Sequence, residues 1–124
     1  MLLDTNIIIY SCKPDGRTLA AWTGHPNAAV ASVIWVESLG YKGIQVQEER
    51  AIREVLSQVM TCPLDEEIIQ RAIQLRQQKG MKLGDAIIAA TALECGVPPV
   101  TRKEGDFKHI SGLQIINPFA PGSA

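Results

Sequence analysis

An aspartate near the start of the chain, Asp4, lies between two runs of branched apolar residues. The first run is Leu2-Leu3, and the second, beyond Thr5 and Asn6, is Ile7-Ile8-Ile9. An apolar segment of this kind is typical of a buried strand, where an ionised carboxylate is very unfavourable unless it is paired. The pattern therefore predicts that Asp4 marks the carboxyl end of a first, central strand, where its charge can reach water, a helix N-terminus or a metal ion.

Short apolar segments alternate with helical patterns along the rest of the chain. Further strands are predicted at 27–31, 60–64, 97–101 and 113–116. After a short helix that ends at Tyr10, longer helices are predicted at 33–39, 46–59, 65–79 and 84–95. The alternation predicts an α/β fold of the three-layer α/β/α kind, with a short central parallel sheet of about five strands. Pro99 is an irregularity, because it cannot donate the hydrogen bond that a central strand needs.

The length and composition are those of one globular domain. Of the 124 residues, 46% are apolar and 20% are charged, and we expect the domain at 1–118 and a flexible C-terminal tail at 119–124. No stretch approaches the roughly 18 apolar residues that span a bilayer. The three cysteines show neither the pairing nor the spacing of a disulfide framework or a zinc site, which favours a reducing cytoplasm as the location.

The charge composition excludes a broadly basic surface. Twelve Lys and Arg residues are set against thirteen Asp and Glu residues, for a formal net charge of -1. Nucleic-acid binding would therefore depend on a local patch or on metal ions. Three basic residues near the predicted carboxyl edge of the sheet are candidates for contacting an RNA backbone: Lys82, Arg102 and Lys103.

Four acidic residues from distant segments are predicted to meet at the carboxyl edge of the sheet, where open α/β folds usually place their sites. Asp4 ends the first strand, and Asp85 lies in the first turn of an Ala-rich helix that begins at this edge. Asp106 follows the fourth strand. Glu37 is a turn and a half into its helix, but helical side chains lean toward the N-terminus and a long Glu can reach back.

Clustered carboxylates repel one another, and a hard divalent cation such as Mg²⁺ or Mn²⁺ relieves that repulsion. Such an ion can activate a water molecule and neutralise a scissile phosphate, so that no catalytic His or Lys is required. Four polar residues are predicted to cap local structure and to orient the site: Thr5, Asn6, Ser32 and Thr101.

At these residues the chain resembles the PIN domains, and more narrowly the VapC-type toxin ribonucleases of bacterial toxin–antitoxin pairs. The similar segments cover nearly all of the sequence up to Pro118. They are Leu2-Leu3-Asp4-Thr5-Asn6, residues 32–39 with Glu37, Leu83-Gly84-Asp85-Ala86-Ile87-Ile88-Ala89-Ala90-Thr91-Ala92, and Val100-Thr101-Arg102 with Asp106-Phe107.

The resemblance implies a Mg²⁺- or Mn²⁺-dependent endoribonuclease with Asp4, Glu37, Asp85 and Asp106 around the metal. It also implies a homodimer and a VapB-like antitoxin whose tail enters the cleft. One position departs from the family pattern: after the Thr-Arg pair the family usually has Asn, sometimes Asp, and this chain has Lys103. A lysine there would contact RNA phosphate or compete with a metal ion, which leaves a second metal position open.

Two other functions stay open on the sequence. Aspartyl phosphatases of the haloacid dehalogenase kind also place Asp after an apolar first strand, but they need a second Asp two residues later, where this chain has Asn6. The other alternative is a PIN-like scaffold that binds RNA or protein without cutting, and Pro99 and Lys103 favour it. Each acidic residue taken singly also has a purely structural interpretation, as a turn residue or a favourable first-turn helix charge.

Overall fold

The computed structural model describes residues 1–119 and contains a single parallel sheet. Its strands are β1 (Leu2–Leu3), β2 (Ala29–Ala31), β3 (Met60–Cys62) and β4 (Pro99–Val100). They lie in the order β3-β2-β1-β4, and every neighbouring pair is parallel. The predicted parallel α/β architecture is therefore confirmed, and β1 is an internal strand, as the apolar residues around Asp4 indicated.

The prediction of about five strands exceeds by one the number in the described part of the chain. The segment predicted as a fifth strand, 113–116, is reduced to one parallel bridge between Val100 and Ile116. Ile116 exchanges two backbone hydrogen bonds with this edge, accepting from Thr101 N and donating to Pro99 O, both at 2.9 Å. Because Pro99 has no N–H, it can add no third bond, and the pairing stays too short to count as a strand.

The same geometry explains why Pro99 is tolerated in β4. The carbonyls that face β1 belong to its neighbours, since Leu2 N donates to Pro98 O and Asp4 N donates to Val100 O, each at 2.9 Å. The missing N–H of Pro99 therefore lies on the outer side of the strand, away from β1.

Eight helical segments connect the strands in residues 1–119. They are α1 (Thr5–Ser11), a 3₁₀ helix (Pro14–Leu19), α2 (Ala20–Thr23), α3 (Val33–Leu39), α4 (Val46–Gln58), α5 (Glu66–Gln78), α6 (Leu83–Cys95) and α7 (Glu104–Phe107). The longer helices match the predicted segments to within a few residues. None of the helices in this described part has the length and apolar character needed to cross a membrane.

Helix α6 lies at the centre of the core. Nine consecutive residues, from Gly84 to Ala92, are buried, so the helix is covered on all sides. Small side chains make this possible, because they allow α5 and α3 to pack closely against it. Gly96 ends α6 in the left-handed conformation, with φ 65°, which glycine adopts without steric cost. The first turn of α6 lies against the Glu37 carboxylate of α3.

The C-terminal end of the described chain is in contact with the domain. Phe119, the first residue of the predicted tail, packs edge-on against Tyr10 with ring centroids 5.0 Å apart. The remainder of that predicted tail, residues 120–124, lies outside the described residues.

Candidate active site at the carboxyl edge of the sheet

Asp4 connects β1 to α1 and is almost completely buried, with 1% of its surface exposed. It is the N-cap of α1, and its Oδ1 accepts a hydrogen bond of 2.7 Å from Thr5 N. The expectation that Thr5 or Asn6 would cap this helix is therefore wrong. The Asp4 carboxylate satisfies a backbone N–H in the first turn of α1, and this hydrogen bond fixes the position of its charge at the end of β1.

The second oxygen of Asp4 is held by two side chains. Oδ2 accepts from Thr101 Oγ1 at 2.7 Å and from Asn6 Nδ2 at 2.9 Å. Asn6 also accepts from Arg102 N through its Oδ1, at 3.0 Å, so it ties the loop after β4 to the start of α1. Because Oδ2 accepts two hydrogen bonds and Oδ1 accepts one, Oδ1 retains a lone pair for another positive partner.

Burial raises the pKa of the Asp4 carboxyl. The hydrogen bond from Thr101, the charge of Lys103 and the hydrogen bond from Thr5 N all act to lower it, while the charge of Asp85 adds to the increase. The net direction is upward, so the protein's own donors do not fully compensate the buried charge. A further cation near Asp4 would stabilise its ionised form.

Glu37 reaches the site from α3, although its side chain is exposed. Its Oε1 accepts a 2.7 Å hydrogen bond from Thr5 Oγ1. The carboxylate also lies against Gly84 in the first turn of α6, so closely that a Cβ added to Gly84 would collide with Glu37 Oε2. Glycine at this position therefore leaves room for the Glu37 carboxylate beside Asp85.

Asp85 is fixed by its place in α6 and by one ion pair. It is 6% exposed, and its position in the first turn of the helix is electrostatically favourable. Lys103 Nζ lies 3.1 Å from its Oδ1. Burial lowers the pKa of Lys103, but the hydrogen bond to Asp85 and the charges of Asp4, Asp85 and Asp106 outweigh burial and raise it. The lysine is therefore a charged member of the site.

Most of the predicted site residues line one cavity of about 500 Å³. Its walls include three carboxylates, two polar residues and three basic residues. These are Asp4, Glu37, Asp85, Thr5, Asn6, Lys82, Arg102 and Lys103.

Three predicted residues do not line this cavity: Asp106, Ser32 and Thr101, the last of which reaches the site through its hydrogen bond to Asp4 Oδ2. Asp106 lines a neighbouring cavity of about 220 Å³, which it shares with Asp85 and Lys82, and its Oδ2 is 3.8 Å from Lys103 Nζ. Asp106 therefore contacts the same lysine ammonium as Asp85 but does not line the larger cavity. Ser32 precedes α3 without a side-chain capping hydrogen bond and lines neither cavity.

The structure adds residues that are not among the predicted site residues. Ile9, Tyr10 and Lys13 complete the lining of the larger cavity. The Arg102 guanidinium lies over two rings, with Cζ 4.6 Å from the Phe119 centroid and 5.4 Å from the Tyr10 centroid. Tyr10 is far from Arg102 and Phe119 in the sequence, so no local sequence pattern predicts that the three side chains meet.

A divalent metal ion requires several oxygen donors around one position. In residues 1–119 no group of three or more Asp, Glu, His or Cys side chains stands in a metal-holding arrangement. The oxygen donors that line the cavity are nevertheless the kind that Mg²⁺ and Mn²⁺ prefer, and the ammonium of Lys103 already lies among them. Asp4, Glu37 and Asp85 therefore fit a hard cation by their chemistry.

The chain is similar to a known family and to several solved structures. The family model described as PIN domain matches residues 1–113. A chain in a toxin-antitoxin complex from Klebsiella pneumoniae is 34% identical, with a TM-score of 0.72, and the alignment covers 91% of this chain and 94% of that chain. No curated protein matches the sequence.

Two further solved structures are similar. A chain of VapBC-1 from nontypeable Haemophilus influenzae is 26% identical, with coverage of 94% and 96% and a TM-score of 0.75. A chain of VapBC2 from Rickettsia felis, bound to a DNA fragment from its promoter, is 23% identical, with coverage of 94% and 96% and a TM-score of 0.77. At this lower identity the likeness concerns the fold.

Proposed function

The chain belongs to the PIN domain family, and from this premise we propose that it is a metal-dependent endoribonuclease that acts as the toxin of a toxin–antitoxin pair. One observation carries the proposal. Asp4, Glu37 and Asp85 come from the end of β1, from α3 and from α6, and they line one cavity together with Arg102 and Lys103. Such a site suits a phosphodiester substrate, which is an anion with oxygen atoms that need neutralising.

In this proposal the acidic residues of the site bind a metal ion and the basic residues bind RNA. Asp4, Glu37 and Asp85 would hold Mg²⁺ or Mn²⁺, which lowers the pKa of water and neutralises phosphate charge when bound. Asp4 is preorganised for this role, because Thr101 and Asn6 fix its Oδ2. Fixed ligands lose little freedom when a cation arrives, so the geometry is set before the substrate binds.

Basic residues at the cavity supply contacts for the RNA backbone. Lys82, Arg102 and Lys103 all line it, and Lys82 also lines the neighbouring cavity with Asp106. A strand of RNA that follows these side chains would pass directly over Asp85, which lines both cavities. Contacts of this kind give an affinity that depends on salt and carry no base specificity by themselves.

The proposed partner is a VapB-like antitoxin, and the proposed assembly is a homodimer in the cytoplasm. The similar chains come from a toxin-antitoxin complex and from VapBC structures, which supports an antitoxin as the partner of this chain. Exposed apolar side chains next to site residues, Val36 beside Glu37 and Leu83 beside Gly84, are 70% and 60% exposed. They would supply apolar contact area to a protein that covers the cavity.

RNA cleavage in the presence of Mg²⁺ or Mn²⁺ tests this function. We expect wild-type protein to cleave and EDTA to abolish cleavage, while Asp85→Asn lowers the rate by about a hundredfold or more. Asp65→Asn is the matched control, because Asp65 caps α5 away from the cavity and Asn also serves as an N-cap. Equal activity of wild type and Asp85→Asn would contradict the proposed site.

A non-cleaving RNA-binding module is the second candidate, and the ion pair between Lys103 and Asp85 favours it. Such a module would bind RNA with an affinity that ignores both EDTA and Asp4→Asn. The phosphatase alternative requires a second Asp at position 6, but this chain has Asn6, whose side-chain amide donates to Asp4 Oδ2. Absence of a phosphorylated Asp4 after incubation with a phosphoester would remove that alternative.

A further inference from the structure

Lys103 is the cation that the chain itself places among the carboxylates. Its Nζ is 3.1 Å from Asp85 Oδ1 and 3.8 Å from Asp106 Oδ2. Its backbone N–H donates a 3.0 Å hydrogen bond to Thr101 Oγ1, the same hydroxyl that donates to Asp4. The lysine is therefore anchored at both ends, by its backbone to the hydrogen-bond network of Asp4 and by its ammonium to Asp85.

The ammonium takes the space between Asp85 and Asp106. A divalent ion bridging these two carboxylates would need an oxygen of each within about 2.0 to 2.6 Å. Lys103 Nζ already lies between them, and an ammonium and a divalent ion at such short range repel strongly. A metal ion and the Lys103 ammonium therefore exclude each other at this position.

The other side of Asp85 stays open to a metal ion. Within residues 1–119 the hydrogen bond that Asp85 accepts from a side chain goes to Oδ1, and Lys103 is its donor. Asp4 and Glu37 lie on the larger cavity together with Asp85, and Asp106 does not. The lysine thus pairs with Asp85 and Asp106, while Asp4 and Glu37 share the larger cavity with Asp85 and form no ion pair with the lysine within 4.0 Å.

We propose that Lys103 replaces a second metal ion in this chain, so that the site holds one divalent ion against Asp4, Glu37 and Asp85. The inference rests on the proposed function, since it requires that these carboxylates bind a metal. It makes Lys103 a fixed positive charge that chelators cannot remove. Asp106 then acts by holding the lysine rather than by binding metal.

The number of Mn²⁺ ions bound per chain tests this inference without RNA and without an activity assay. We expect isothermal titration and electron paramagnetic resonance to give one Mn²⁺ per wild-type chain, with no coupling between Mn²⁺ ions. Lys103→Met removes the charge and adds no ligand, and it should bind two Mn²⁺ with a spectrum broadened by their coupling. Lys13→Met is the matched control, because Lys13 lines the same cavity but forms no ion pair within the described residues. It should still bind one.

Each other outcome has a definite meaning. Two Mn²⁺ ions in the wild-type chain would overturn the replacement, and so would a single ion in Lys103→Met and in a second variant, Lys103→Asn, each with wild-type circular dichroism. No Mn²⁺ binding by the wild-type chain would overturn the metal site of the proposed function and this inference with it. The stoichiometry of the wild type therefore distinguishes a failure of the inference alone from a failure of the function.

Discussion

Thr101 donates a 2.7 Å hydrogen bond from its hydroxyl to Asp4 Oδ2, across 97 positions of the chain. Thr101 is completely buried, and its oxygen also accepts from Asn6 Nδ2 at 3.2 Å and from Lys103 N at 3.0 Å. One hydroxyl therefore connects the end of β4 to the end of β1 and to the loop that carries Lys103. Its three hydrogen bonds use its full capacity of one donor and two acceptor positions.

Thr101→Val should destabilise the protein and weaken the site together. The substitution keeps the side-chain shape but removes a donor to a buried carboxylate and an acceptor for two N–H groups. We expect the free energy of unfolding to fall by about 1 to 3 kcal/mol, which urea denaturation measures. Mn²⁺ affinity should also fall, because Asp4 loses one of the hydrogen bonds that hold its ionised form in place.

Thr91→Val is the control for this prediction. Thr91 is also buried, but its hydroxyl donates only to Ile87 O within α6. Its loss should cost less than about 1 kcal/mol and should leave Mn²⁺ binding unchanged. Equal loss of stability and of Mn²⁺ affinity in the two variants would contradict the role given to Thr101.

Gly84→Ala should separate stability from activity. Alanine in a helix is ordinarily more favourable than glycine by about 0.5 to 1 kcal/mol. Here the new Cβ would take the space of the Glu37 carboxylate, which sits at the end of a flexible side chain and can rotate away. We expect the thermal midpoint to stay level or rise, while RNA cleavage falls roughly tenfold or more because Glu37 is displaced.

Gly105→Ala is the matched substitution for Gly84→Ala. Gly105 lies in α7, and a Cβ added there has no heavy atom of another described residue within 4 Å. This variant should gain stability from the helix and should keep wild-type cleavage. Full activity of Gly84→Ala would show that the contact between Gly84 and Glu37 is unimportant for function.

The sequence predicted those features that a local pattern encodes. Asp4 between apolar runs indicated a strand end, and the small residues after Gly84 indicated a closely packed helix, because burial and helix packing select residue types locally. The loss of the fifth strand was not predictable, since it depends on which backbone groups of β4 face residues 113–116, where Pro99 has no N–H to donate. The strand pattern at 113–116 indicates apolar character, but it does not show which backbone groups of a neighbouring strand are available for hydrogen bonding.

The contacts within the site depended on tertiary structure to a greater degree. Topology placed Asp85 and Asp4 at one edge, but nothing in the sequence distinguished a Lys103 that contacts RNA from one that bonds Asp85. The 3.1 Å separation between Lys103 Nζ and Asp85 Oδ1 is a property of the folded loop. In the same way, the room for Glu37 comes from Gly84, a residue 47 positions later, and only the packing of α3 against α6 brings the two together.

The stability of the metal-free protein should fall, relative to Asp4→Asn, as the pH rises. Burial raises the folded-state pKa of Asp4 above its ordinary 3.8, although Thr101 and Lys103 oppose the shift. The folded state then holds the Asp4 proton more tightly than the unfolded state does. The stabilisation by this group is complete below pH 3.8 and is lost as the pH rises through the raised pKa. Urea denaturation in EDTA between pH 4 and about pH 8 measures the difference between the two proteins.

Mn²⁺ should reverse this loss of stability at neutral pH in the wild type. Saturation at a hundred times the dissociation constant would stabilise the folded chain by about 2.7 kcal/mol. Asp4→Asn should gain much less, because it lacks the buried carboxylate.

If the pH profiles of the wild type and Asp4→Asn run parallel in EDTA, burial of Asp4 does not control the pH dependence of stability.

Phe119→Ala should weaken RNA binding through Arg102. The centroid of the Phe119 ring lies 4.6 Å from Cζ of Arg102, a residue that lines the cavity, and the ring packs on Tyr10, so it positions the guanidinium. Loss of this cation–π contact is worth about 0.5 to 1 kcal/mol, which corresponds to a two- to fivefold lower affinity. Fluorescence anisotropy with labelled RNA in EDTA measures it without cleavage. Phe119→Leu, which keeps apolar bulk but lacks the aromatic ring, should lose nearly as much.

The salt dependence of binding separates loss of a charge from loss of its positioning. Arg102→Gln removes one phosphate contact and should reduce the slope of log affinity against log salt by about 0.7 for single-stranded RNA. Phe119→Ala keeps the charge, so its slope should equal that of the wild type while its affinity is lower at every salt concentration. An unchanged affinity in Phe119→Ala, or a slope as low as that of Arg102→Gln, would contradict the positioning of Arg102 by Phe119.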